Sequence, residues 1–137
     1  MYNQVFCDGQ NVYSVYMMHR YVNDNKDNLK IQDIPISKFE CIRNWTIWGG
    51  RDERWSINDV LKNPDKYQKD YKNIIKADLK FPIITVHNPL DVYQILDGHH
   101  RLGKSIPTKK KIIKAYVFTN PSLLILKNKK STLLLRK

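Results

Sequence analysis

Asp97, Gly98, His99, His100 and Arg101 stand side by side within ILDGHHRLGKSI (residues 95–106), after an apolar run and before a helix-like stretch. A turn from strand into helix leaves the first helical N–H groups unpaired, and the helix dipole favours negative charge there, so such a turn is an anion cradle. Gly98 lets the backbone approach an anion closely. Arg101 can grip two phosphate oxygens at once, and Lys104, one turn on, adds a second positive charge. His99 and His100 supply donors expected to titrate near neutrality. Asp97 can accept a hydroxyl proton, hold a hydrated Mg2+ ion or orient a histidine. Direct metal chelation by both histidines is disfavoured, because successive helical side chains diverge by about 100°. The plainer alternative is structural: Asp97-Gly98 makes a turn, His100 packs beneath it and Arg101 pairs with a surface acid.

The elements around the motif follow from pattern. FPIITV and VYQIL are β-rich runs joined by HNPLD, whose Asn-Pro pair signals a turn. The motif helix is expected from about His99 to Ile106, with Pro107 stopping it, and KIIKAYVF supplies a further strand. Upstream, Ser14 is placed to cap a helix whose apolar face is Val15, Met18 and Val22, ended by NDNKDN. KIQDIPIS carries Pro35 and suits a short edge strand, and Ser37 begins a brief helical turn. Residues 45–55, WTIWGGRDERW, fit an ordered loop in which the indoles cover the core or choose a substrate. Ser56 with Asp59 resembles a capping box, and Asn63-Pro64 is read as the start of the next helix. On that helix Tyr67, Tyr71, Ile74 and Ile75 mark an apolar face, while Lys69, Lys72 and Lys76 form a basic stripe, read as either a solvated face or a nucleic-acid contact.

Composition bounds the partners. The chain of 137 residues suits one domain, and no apolar run reaches the length of a membrane span. The first residues lack a secretory pattern, so a cytoplasmic location is the expectation. Cys7 and Cys41 have no zinc-site spacing and are expected to be reduced, mostly structural thiols; neither zinc nor haem is expected. Lys and Arg number 24 against 13 Asp and Glu, a net charge of +11, which favours polyanionic partners through long-range attraction and counterion release. The abundance of Lys, Asn and Ile fits an AT-rich coding genome such as that of a virus or mobile element.

The order IPISKF, a helical region, FPIITV, YQILDGHHRLGKSI and a closing strand resembles the ParB/sulfiredoxin superfamily. ADLKFPII with ILDGHHRLGKS is especially similar to its small ParB-like nuclease-domain members. The resemblance covers about residues 31–118 and implies an α+β fold, a mixed β-sheet flanked by helices. Residues 1–30 are then an N-terminal helical extension and 119–137 a basic, apolar tail. It further implies a nucleotide whose phosphates lie over Asp97–Arg101, with Gly98 for close approach and His100 and Arg101 on phosphate, so that ATP, ADP or CTP with Mg2+ is the implied cofactor. The DGHHR form is also similar to that of the superfamily's free-serine kinases, in which an upstream acid assists; Glu40 is the loose match. Sulfiredoxins carry their catalytic cysteine where this chain has His99, so sulfinic acid reduction is not expected. Partition ParB proteins continue into a helix-turn-helix, whereas only about twenty residues follow the last strand here, so centromere reading is not expected either. Two readings stay open: a phosphoryl-transfer or phosphodiester-hydrolysing enzyme, and a non-catalytic module that holds DNA or RNA.

Overall fold

The computed structural model describes residues 5–7 and 12–119, which fall into two compact units: residues 31–117, and the described residues before Ile31 together with 118–119. The tail from residue 120 on lies outside the described residues. In the unit that holds the N-terminal segment, β1 (Val5–Cys7) pairs antiparallel with β2 (Val12–Ser14), and α1 (Val15–Asp24) follows at once. The helix begins where Ser14 predicts, and Met18 and Val22 are buried. The hairpin corrects the purely helical reading of this segment; its signal is Asp8-Gly9 between two short β-prone runs.

In chain order the larger unit contains β3 (Ile31–Pro35) and two 3-10 turns, Ile36–Phe39 and Cys41–Asn44. Next come a short hairpin of β4 (Trp48–Gly49) and β5 (Arg54–Trp55), then α2 (Ile57–Lys62) and α3 (Gln68–Lys76). The unit ends with β6 (Ile83–His87), β7 (Tyr93–Asp97), α4 (His99–Ser105) and β8 (Ile112–Phe118), the last of these up to Val117. The fold is α+β. One four-stranded mixed sheet has the order β3-β8-β6-β7, with β3 antiparallel to β8 and β6 antiparallel to β7. Pro35, which has no N–H for a ladder, sits on the edge strand as its chemistry requires. Ile34, Phe39, Ile42, Ile57, Ile83, Ile95, Leu102, Ile113 and Ala115 form one apolar core that joins sheet, 3-10 turns and helices.

Local chemistry sets the helix ends. Ser56 Oγ accepts the Asp59 N–H at 3.1 Å while the Asp59 carboxylate accepts the Ser56 N–H at 2.8 Å, a full capping box on α2. Asn63 does not start α3. It closes α2 by donating its N–H to Asp59 O at 2.9 Å, and Pro64 opens only one turn, because Tyr67 (φ −116°, ψ 51°) breaks helical geometry before Gln68. Ile75 is likewise not on the apolar face: it is 52% exposed whereas Ile74 is fully buried, since neighbours on a helix point about 100° apart. Gly103 lets α4 lie against α3, for a Cβ there would stand 3.0 Å from Ile74 Cδ1. Cys41 is exposed on its 3-10 turn and so is not a core thiol.

Between β6 and β7, Asn88 Oδ1 accepts the N–H groups of Leu90 and Val92 at 2.9 and 3.1 Å, the side-chain turn expected of Asn-Pro. Further along, Thr85 pairs with Ile95 but Ile84 with Asp97, so Leu96 has no partner opposite it. This bulge accounts for the consecutive burial of Ile95 and Leu96 and re-aims the strand end that carries Asp97. Beside it, the buried Thr85 Oγ1 has no hydrogen-bond partner among the described residues. A buried hydroxyl left unpaired is destabilising, whereas a methyl of the same shape is at home there. Thr85→Val is therefore expected to stabilise the fold by about 1 kcal/mol, raising the thermal midpoint by about 3 °C; a midpoint below wild type shows that the hydroxyl is satisfied.

Candidate functional site

The turn after β7 is built on Gly98, whose φ of 124° disfavours any L side chain. A Cβ there would collide with Ile83 Cγ2 and stand 2.7 Å from Ile83 Cβ, so the fold alone already requires glycine. Arg101 then locks the turn. Its Nη2 donates to Asp97 Oδ2 at 2.9 Å, and its Nη1 donates to the carbonyls of Pro82 at 2.7 Å and Phe81 at 3.1 Å. One guanidinium thus ties the end of β7 to the approach to β6. One Nη2 hydrogen and the Nε–H remain for a ligand. Lys104 points elsewhere: its ammonium donates to the carbonyls of Ile75 at 2.9 Å and Ala77 at 2.6 Å, closing the end of α3, where a cation also complements the helix dipole.

The second histidine of the motif sits in an aromatic and acidic setting. His100 Nε2 lies 3.1 Å from Asp70 Oδ1, and Trp55 Nε1 donates to the other oxygen, Oδ2, at 2.7 Å. Trp48 stacks on the His100 ring with centroids 4.5 Å apart and planes 14° apart, and Trp55 packs against Tyr67 at 4.9 Å. Trp48 and Trp55 are cross-strand partners in the β4–β5 hairpin, so the segment read as an irregular loop is a small ribbon that presents both indoles to one site. The Asp70 side chain is 15% exposed and that of His100 34%. A carboxylate so placed orients the imidazole: with the Nε2 hydrogen on Asp70, Nδ1 is left as a proton acceptor.

His99 differs. It is packed closely enough that burial lowers its pKa from 6.5 to about 4; His100 pushes the same way and Asp97 opposes. It is a neutral ring at pH 7, which corrects the expectation that both histidines titrate near neutrality. Glu40 lies between the two 3-10 turns and pairs with Arg43 at 3.4 Å on the exposed surface. Lys69, Lys72 and Lys76 are exposed on α3, the helix that carries Asp70 and packs on α4. Among the described residues no group of three or more His, Cys, Asp or Glu converges as a metal cage. Asp70 is the member that sequence reasoning missed, whereas Trp48 and Trp55 lie in the segment 45–55 whose indoles are expected to cover the core or choose a substrate. The available signal was an acid three residues after Tyr67 and four before Ile74, on the face of α3 that turns to the core.

The neutral state of His99 has a consequence for stability. An unfolded histidine titrates near 6.5 and the folded His99 near 4, so between these values the unfolded chain takes up the proton first. The contribution is complete above pH 6.5 and is lost as pH falls to about 4. Urea midpoints of the wild type should drop across this window by about 1–3 kcal/mol in stability, and His99→Gln should flatten the drop. An equally steep fall in the variant assigns the acid sensitivity to other groups.

No protein-family model matches the chain, and no curated protein or solved structure does so either.

Proposed function

We propose that this chain is a ParB/sulfiredoxin-like enzyme that binds the phosphates of a nucleotide or nucleic acid and transfers or hydrolyses a phosphoryl group, with His100 as its proton-transfer residue. The observation that carries the reading is the contact of His100 Nε2 with Asp70 Oδ1 at 3.1 Å in a half-buried setting, the carboxylate itself anchored by the Trp55 indole. Proton transfer by a side chain requires such an oriented imidazole. In an in-line displacement, His100 Nδ1 takes the proton from the attacking water or hydroxyl as its oxygen bonds to phosphorus and the bond to the leaving oxygen breaks. Asp70 holds the ring and faces the positive charge it gains. The remaining Arg101 hydrogens and the exposed Lys69, Lys72 and Lys76 supply attraction to phosphate. Were Mg2+ to accompany the nucleotide, Asp97, paired with Arg101, would be the protein carboxylate to hold it, and the ion would neutralise phosphate charge.

A second reading, a non-catalytic module that holds DNA or RNA, is favoured by the internal engagement of Arg101 and Lys104. In that case the motif shapes the fold and the α3 lysines hold the polyanion. Paired variants separate the two. For the enzyme, His100→Ala and Asp70→Asn should each lower turnover by about 10²-fold or more, read as phosphate release from ATP, ADP or CTP with Mg2+ and as cleavage of DNA and RNA, while polyanion affinity stays near wild type. Replacing Lys69, Lys72 and Lys76 together by Gln should flatten the salt dependence of binding by up to about three units, one for each lost phosphate contact. Wild-type protein that binds but turns over none of these substrates leaves the module; wild-type protein that binds no polyanion removes both.

A further inference from the structure

The β4–β5 hairpin holds two of the three tryptophans in place, and the third is left over. Trp48 is stacked on His100, and the Trp55 indole is bonded to Asp70 and packed on Tyr67. Trp45, just before the hairpin, is 43% exposed, and its indole has neither a hydrogen bond nor a ring partner among the described residues. Its backbone, by contrast, is fixed: the Trp45 N–H donates to Ile42 O at 3.1 Å and the Trp45 carbonyl accepts the Ile47 N–H at 2.9 Å. A large aromatic ring on a fixed backbone, 43% exposed and without a ring partner among the described residues, can stack on a ligand.

What the ring takes is set by its neighbour. Arg54 is exposed, and its Nε donates to the carbonyl of Thr46, the residue next to Trp45, at 3.0 Å. That bond leaves the terminal amino groups of the guanidinium with no acceptor among the described residues, so a bidentate grip on phosphate stays open on a side chain anchored at the residue that follows Trp45. An exposed aromatic ring and an anchored guanidinium are the two kinds of group that a nucleotide would use, base on Trp45 and phosphate on Arg54. Within a duplex both faces of each base are covered by its neighbours, so an internal base can lie on Trp45 only when unstacked. With a net charge of +11 and the lysines of α3 on the same unit, the chain attracts a strand of many phosphates.

We infer that Trp45 and Arg54 form a stacking site for an unpaired base, so that single-stranded nucleic acid is the favoured polyanion of this protein. The inference rests on the phosphate-binding reading above and adds the strandedness of the ligand. The test uses the full chain and fluorescently labelled probes of one length: single-stranded oligo-dT, oligo-U, a random-sequence duplex and an abasic deoxyribose-phosphate oligomer. Wild type should bind the single strands more tightly than the duplex or the abasic oligomer. Trp45→Ala should weaken single-strand binding by about tenfold and leave the abasic oligomer unchanged, and Trp45→Phe should restore most of the loss. Arg54→Gln should weaken all four. Thermal melts confirm that the variants are folded, as the exposure of Trp45 predicts. Equal binding of the single-stranded and abasic probes, or a folded Trp45→Ala that binds the single strands like wild type, overturns the stacking site and leaves phosphate binding standing. Failure of wild type to bind any of the four overturns both.

Discussion

The Asp70 carboxylate is the contact on which the arrangement around the DGHHR motif depends. It belongs to α3, yet one oxygen accepts from the Trp55 indole of the β4–β5 hairpin and the other faces His100 of α4. Three elements distant in sequence thereby meet on one group. A carboxylate with only 15% of its side chain exposed needs these partners, because a buried charge without them carries a penalty of several kcal/mol. The same two bonds fix the hairpin over the motif and turn the His100 ring flat against Trp48. What the sequence presents as separate features, an aromatic segment and a polar turn, is one structure joined by an acid from a third place.

Charge is divided between two tasks. Arg101 and Lys104, the cations of the motif, face inward: the first joins Asp97 to the carbonyls of Phe81 and Pro82, the second closes α3 at Ile75 and Ala77. Each satisfies main-chain acceptors that would otherwise be left at a strand or helix end. Lys69, Lys72 and Lys76, by contrast, are exposed on the flank of α3. With 3.6 residues per turn, Lys69 and Lys76 fall about 20° apart and Lys72 about 60° from Lys69, roughly a quarter turn or more away from Asp70. The acid therefore faces the motif while the lysines face solvent from the same helix.

Much of the fold was legible because it depends on local chemistry. Ser56 and Asp59 cap α2 as their spacing requires, Pro35 marks the edge strand, Asn88-Pro89 turns β6 into β7, and Pro107 follows the end of α4. Gly98 stands out in the sequence for the right reason in part: its backbone does need glycine, but the close approach is to Ile83. Less was legible where the decisive partner is remote. Asn63-Pro64 has the composition of a helix start, and nothing nearby reveals that Tyr67 breaks the helix where its ring packs against Trp55. Nor does the string of lysines around Asp70 show that this acid turns toward Trp55 and His100, contacts made over 15 and 30 residues of chain.

The two histidines show how far environment, not residue type, decides chemistry. They are adjacent, so the helix sends their side chains about 100° apart, and each meets a different medium. At His99 burial outweighs the nearby Asp97 and keeps the ring neutral down to about pH 4. It can pack and donate one hydrogen bond, but it is a poor acid at neutral pH. His100 meets a carboxylate on one nitrogen and an indole on one face, with about a third of its side chain exposed. The proton-transfer role proposed for His100 rests on this fixed orientation and partial exposure. The Gly98 turn and the bulge at Leu96 set the direction in which α4 leaves the sheet, and with it the surroundings that each histidine meets.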